Sequence, residues 1–245
     1  PPESRTAVRR VNIFGLTEAA VDERLSDLMR PGRNPQIGLT ACEATIKVTV
    51  RARAEEQEEA ERLAEEDETD IRGRFGQEVV GTGGATLAGA VSDLLEEGNL
   101  TICVAESCTG GLIGDMLTDV PGISRFFLDD VIAYSNEAKQ SRLGVGGELI
   151  AEHGAVSRQV AEAMARGACR TGGADVGVST TGIAGPTGGT PQKPVGLVYV
   201  GLCVEGRTDV LKLELDGDRR KVKVRAAKHA LNELRLALLD GLKTG

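Results

Sequence analysis

Tryptophan is absent from this 245-residue chain, and tyrosine (2) and phenylalanine (4) are scarce. A platform of stacked rings for single-stranded nucleic acid is therefore not expected, and the core has to be assembled from Val, Leu, Ile and Ala. There are only two histidines, His153 and His229, so a Ser-His-Asp triad has thin support. The five cysteines, Cys42, Cys103, Cys108, Cys169 and Cys203, form no Cys-x-x-Cys pair, and no His-x-x-x-His occurs. No metal site and no cofactor are expected from that inventory. Unpaired thiols fit a reducing, cytoplasmic setting. The longest apolar run, Leu197–Val204 broken by Gly201, is far short of the ~20 residues that span a bilayer. No membrane association is expected. The amino end carries no basic-then-apolar leader, and the chain opens at Pro1-Pro2 without Met, as a piece of a longer polypeptide would. Positive charge is also in deficit: 29 Lys and Arg against 37 Asp and Glu give −8, which disfavours capture of nucleic acid or anionic lipid. A pocket inside an acidic protein can still be locally positive and hold a small anion.

Present instead are 32 glycines and an apolar fraction of 40%, enough for two modest domains with tight turns. Arg5–Phe14 has strand character, and Thr17 heads an amphipathic helix with Ala20, Val21, Leu25, Leu28 and Met29 on one face. Gln36–Ala54 is strand-like, with Ala44, Ile46, Val48 and Val50 alternating with polar neighbours. The carboxylate-rich stretch Glu55–Asp70 reads as a helix with a solvated acidic face. After it, Gly73-Arg74-Phe75-Gly76 has the Gly-x-x-Gly form with which KH domains clamp nucleotide backbone. That signature is short and the acidic run beside it repels phosphate, so a helix-ending turn is expected there rather than RNA binding. The glycine cluster at Gly81–Gly84 marks a boundary between a small α+β domain, residues 1–82, and a second domain, residues 83–245.

The second domain alternates helices and strands. Leu87, Val91, Leu94 and Leu95 define a helix, Ile102–Ala105 a short buried strand, and Phe126-Phe127-Leu128 a piece of core. Asp130–Ser135 follows as a strand, Asn136–Leu143 as its helix, Val145–Gly154 as a loop with a helical piece, and Ser157–Gly172 as a longer helix. Asp175–Thr181 is a strand that empties into a glycine-rich loop, Leu197–Val204 and Thr208–Leu215 form a hairpin, and Arg219–Leu242 closes the chain as a helix. This order predicts an α/β fold, a three-layer α/β/α domain on a mixed sheet, with its site where strands end.

Two strand exits carry the chemistry. The first runs into Glu106-Ser107-Cys108-Thr109-Gly110-Gly111, leaving a hydroxyl and a thiol beside the N–H groups of a helix start. The second delivers Tyr134, Ser135, Asn136 and Lys139. Ser107 and Cys108 compete as nucleophile, and a reactive cysteine needs an electropositive neighbour. Lys139 can serve as base only if burial lowers its pKa, because an exposed helix lysine stays charged. Gly110, Gly111, Gly182 and Gly185 allow backbone N–H groups close to ligand oxygens, the Ser107 turn for an oxyanion and the Thr181 turn for ribose and phosphate.

The motifs AESCTGG (Ala105–Gly111), YSNEAK (Tyr134–Lys139), GAVS (Gly154–Ser157), TGIAGPTGG (Thr181–Gly189) and PVGLVYVG (Pro194–Gly201), in this order, resemble the carboxy-terminal domain of the competence/damage-inducible CinA family. The resemblance covers roughly residues 84–242, and the residues before it resemble, more loosely, the KH-like middle domain of long CinA proteins. The amino-terminal domain of those proteins, similar to molybdopterin-binding proteins, has no counterpart in these residues, and its pyrophosphatase activity is not assigned to them. The resemblance implies a nicotinamide-nucleotide amidohydrolase that converts nicotinamide mononucleotide to the acid and ammonia, in pyridine-nucleotide recycling. It implies Ser107 as nucleophile, Lys139 as base, Tyr134 as a proton relay or substrate-positioning group, and Thr181 as a donor near the carboxamide. Leu215–Arg220 resembles the family's Gly-Asp-Arg motif, which implies a phosphate contact for Arg219, although pairing with Asp218 on the surface is an alternative. The following Arg-Lys-Val-Lys departs from the family pattern. Implied partners are a small-molecule nucleotide and a second copy of the chain, as a homodimer, with no nucleic acid and no membrane. A non-catalytic nucleotide-binding module is the alternative reading.

Overall fold

A computed structural model describes residues 4–244; the Pro1-Pro2 start lies outside them. The chain divides into two units, one through Thr86 and one from Leu87 onward.

The first unit contains β1 (Arg5–Phe14), α1 (Glu18–Leu25), β2 (Gln36–Cys42), β3 (Thr45–Ala54), α2 (Gln57–Phe75) and β4 (Val79–Thr82). The strands form an antiparallel sheet in the order β2-β3-β1-β4. Strand β3 shows why one face is covered: Ile46, Val48, Val50 and Ala52 are buried while Lys47, Arg51 and Arg53 between them are exposed. The buried row meets Ala60, Ala64, Ile71 and Phe75 of α2 in one core. The stretch Gln36–Ala54 is a hairpin rather than one strand, and Ala44 lies in its turn: Glu43 and Ala44 both have positive φ, 47° and 65°. Two-residue hairpin turns require that conformation, but Glu-Ala is not a pair that announces it. The acidic face of α2 is not wholly solvated. Asp67 is buried and takes both arms of Arg33 at 2.5 and 2.6 Å, and buried Glu68 lies 3.8 Å from Arg9. Gly73–Gly76 is the end of α2: Phe75 is buried in the core, and Arg74 is bound to Asp27 and Asp70. The glycine cluster stays with this unit, because the Asn12 amide donates to Gly83 O and Ala85 O.

The second unit contains α3 (Leu87–Gly98), β5 (Ile102–Glu106), α4 (Leu112–Thr118), β6 (Phe127–Ile132), α5 (Asn136–Leu143), α6 (Gly147–His153), α7 (Arg158–Gly172), β7 (Val176–Gly182), β8 (Leu197–Val204), β9 (Arg207–Glu214) and α8 (Arg219–Thr244). Its mixed sheet has the order β6-β5-β7-β8-β9, with β6, β5 and β7 parallel, β8 antiparallel to β7, and β9 antiparallel to β8. Helices cover both faces, so β5, an inner strand, is buried at every position and reads as an apolar run that ends in one acid. Helix α7 packs directly on the strand backbones, because Gly177 and Gly201 leave room for the Ala165 and Ala161 carbonyls. Strand β6 begins at Phe127, earlier than the spacing predicted, and as an edge strand it exposes Leu128 rather than burying it.

Candidate active site

Strands β5, β6 and β7 are parallel neighbours, so their carboxy ends open at one edge of the sheet. A cavity of about 210 Å³ lies there, lined by Ser107, Cys108, Tyr134, Lys139, Thr181 and Arg219, with Gly182 and parts of the Gly154–Ser157 loop.

Lys139 is brought inward by its helix. Ser135 caps α5 by accepting from Ala138 N–H at 3.1 Å, which starts the helix so that Lys139 and Leu143, one turn apart, share its buried face. Lys139 is 1% exposed. Its Nζ donates to Ser107 Oγ at 2.9 Å, to Ala133 O at 2.8 Å and to Tyr134 O at 3.3 Å. Removal from water pushes its pKa below the ordinary lysine value, since desolvation disfavours the charged amine.

Cys108 is in the opposite state. Burial pushes its thiol up to about 12, so it remains protonated at neutral pH. Thr180 lies beside it, and the Thr180 and Thr109 hydroxyls share a buried 2.6 Å hydrogen bond. Ser107, 8% exposed, is therefore the group in this turn with a base at its oxygen.

The row of helix-start N–H groups is not open to a ligand. Glu106, fully buried, reaches forward and accepts from Gly111 N–H at 2.8 Å, Ile113 N–H at 2.7 Å and Gly114 N–H at 3.0 Å. Gly111 is thus occupied within the protein, and neither it nor Gly110 is among the residues that line the cavity. Gly110 lies instead beside Lys223 of α8, whose Nζ would be 3.3 Å from a Cβ at that position. Thr181 lines the cavity but donates its hydroxyl proton to Ala155 O at 2.7 Å, which leaves its oxygen as an acceptor rather than a donor. Gly182 lines the cavity where any side chain would strike β8, and Gly185, with φ +81°, offers its carbonyl to Arg219. Arg219 is held over the cavity by Gly185 O at 2.8 Å and by the Tyr134 hydroxyl at 3.1 Å. Asp218 caps α8 through Lys221 N–H instead of pairing with Arg219. Neither histidine lines the cavity: His153 ends α6, and His229 lies on α8.

Two groups escaped the sequence reading. Glu106 is visible in the sequence only as the acid before the Ser107 turn, and Asp130 of β6, visible only as a strand residue, meets it at Gly114. Among the described residues, no cluster of three or more His, Cys, Asp or Glu side chains suits a metal ion, and no helix is long and apolar enough to cross a membrane.

Comparison with known proteins places this arrangement. The CinA C-terminal domain profile matches residues 84–238, and the profile of the damage-inducible protein CinA KH domain matches residues 8–81. CinA-like proteins of Kosmotoga olearia and Dictyoglomus thermophilum are 46% and 44% identical over 94% and 95% of this chain. The chain spans 56% of the length of each of these relatives. Among solved structures, the competence/damage inducible protein CihA of Agrobacterium tumefaciens is 39% identical, with a TM-score of 0.60 over 62% of this chain and 93% of that one. The competence damage-inducible protein A of Klebsiella pneumoniae is 32% identical, with a TM-score of 0.61 over 62% of this chain and 95% of that one.

Proposed function

Because the chain belongs to the CinA family, we propose that the unit from Leu87 onward is a Ser/Lys amidohydrolase acting on the carboxamide of nicotinamide mononucleotide. The observation that carries this reading is the 2.9 Å contact between Lys139 Nζ and Ser107 Oγ in the lining of the cavity. A neutral Lys139 has two N–H bonds, which suit the Ala133 and Tyr134 carbonyls, and one lone pair, which is left for the Ser107 hydroxyl. Ser107 Oγ attacks the carboxamide carbon while its proton passes to Lys139. The oxyanion is taken by N–H groups earlier in the turn than Gly111, whose N–H already serves Glu106. Lys139 returns the proton to the departing nitrogen, ammonia leaves, and an ester remains on Ser107. Water, deprotonated by the same amine, then releases nicotinate mononucleotide. Arg219, at the cavity wall, is suited to the phosphate, and the Thr181 oxygen to the carboxamide N–H.

Ammonia release from nicotinamide mononucleotide by the purified chain tests this. It is expected to vanish in Ser107→Ala, which still gains thermal stability from the mononucleotide, and to persist in Cys108→Ala. Loss confined to the cysteine variant would reverse the nucleophile. A stabilising mononucleotide recovered unchanged from the wild-type protein would leave a binding module without catalysis.

A further inference from the structure

The Ser107 turn is held from behind by two carboxyl groups that take no part in the bond changes. Glu106 ends β5 and reaches the first N–H groups of α4, so its charge replaces the anion that such a helix start would otherwise attract. Asp130, on neighbouring β6, is packed against Gly114, where any side chain would collide with its Oδ2. The two carboxyls meet at Gly114, whose N–H donates to Glu106 Oε1 at 3.0 Å. Asp130 Oδ1 is buried and receives no hydrogen bond from a donor among the described residues. A buried carboxyl oxygen with no donor, set beside a second carboxyl whose own oxygens are satisfied by amides, is the arrangement of an acid that has kept its proton.

We propose that Glu106 and Asp130 are positioning residues for the proposed reaction, a carboxylate and a neutral acid that share one proton and thereby fix the turn carrying Ser107. The pair ties both halves of the reacting dyad. Glu106 immediately precedes Ser107, its carbonyl accepts from Ala133 N–H at 2.8 Å, and Ala133 in turn supplies a carbonyl to Lys139. The charged groups that act on Asp130 are Glu106 of β5, Asp129 of its own strand and Arg142 of α5; burial and the two acids outweigh the arginine and raise its pKa. If the proton is lost, two negative charges face each other at Gly114, one of them with a buried oxygen that has no donor, and the geometry at Ser107 relaxes.

This inference rests on the amidohydrolase reading for its activity arm and is independent of it for its stability arm. Asp130→Asn offers an N–H to Glu106 and mimics the neutral acid at every pH. An unfolded chain ionises Asp130 near pH 4, whereas the folded chain holds the proton up to about 8. The wild type therefore loses stability relative to Asp130→Asn across that interval and stops losing it above. In denaturant midpoints measured across this range, the gap between the two proteins is expected to widen from pH 5 to pH 8 and then stay constant. A fall in ammonia release as the pH passes about 8 is expected in the wild type and absent in Asp130→Asn. Glu106→Gln is expected to lower kcat by about 10²-fold with little change in KM. A stability gap that is the same at pH 5 and at pH 8, or an alkaline fall unchanged in Asp130→Asn, would overturn the proposal. If the wild type releases no ammonia at all, the amidohydrolase reading fails and the denaturation series still decides the pair.

Discussion

At the scale of single residues, the site turns on which of two adjacent nucleophiles has a base, and burial decides it. The Cys108 thiol is pushed up to about 12, so it keeps its proton at neutral pH, while burial makes the Lys139 amine lose its proton more readily than an ordinary lysine. Because the base works only when neutral, activity on the acid side is expected to rise with pH through the lowered Lys139 pKa, and the Asp130→Asn variant, which lacks the alkaline fall, is expected to level off above it. Lys139→Met is expected to lower kcat by about 10²- to 10⁴-fold, the usual worth of a positioned base. An unchanged rate would remove the lysine from the mechanism. From the sequence, the residue types at this site were readable and the state of the lysine was not. A lysine one turn into a short helix is solvated by default, and only the packing of Leu143 on the same face places Lys139 inside. Glu106 was unreadable for a similar reason: nothing in Glu-Ser-Cys-Thr-Gly-Gly says that the acid bends forward onto the N–H groups instead of leaving them for a ligand.

At the scale of elements, helix α5 is a short lever, and its first turn sets the Lys139 position. Ser135→Ala removes the cap and is expected to cost about 1 kcal/mol of stability, read from denaturant midpoints. It should also lower kcat while leaving KM almost unchanged, since only the lysine moves. The start of α8 has the complementary role. Arg219 is oriented by Tyr134 and Gly185, so Arg219→Ala is expected to raise KM for the mononucleotide well before it affects kcat. Tyr134→Phe, which loosens one tether, should raise KM by a smaller factor, and an equal fall in kcat in either variant would mean that these groups act on the transition state. Most elements were legible because aliphatic periodicity is strong in this aromatic-poor chain. The failures lie where backbone geometry is unannounced: the Glu43-Ala44 turn inside what reads as one strand, and the start of edge strand β6, whose exposed Leu128 mimics a core residue.

At the scale of the whole molecule, the residues that line the candidate site all belong to the unit from Leu87 onward. The solved CinA relatives cover 62% of this chain, and the CinA C-terminal domain profile matches residues 84–238. A protein beginning at the glycine cluster is therefore expected to keep ammonia release within a few-fold of the full chain, and complete loss would give the first unit a part in the site. That first unit has its Gly-x-x-Gly arginine locked between Asp27 and Asp70 within a chain of charge −8. Salt-sensitive binding of single-stranded RNA is accordingly not expected at physiological ionic strength, and tight binding would contradict this. For both units together, the functional reading depends on an uncharged amine inside the larger one. That amine is measured most directly by following the ¹³Cε signal of Lys139 through a pH titration, assigned by its absence in Lys139→Met. The titration is expected below the ordinary lysine value of about 10.4 and in step with the acid limb of kcat/KM. A signal that titrates at or above that value, or an acid limb that ignores it, would contradict the Ser107–Lys139 mechanism.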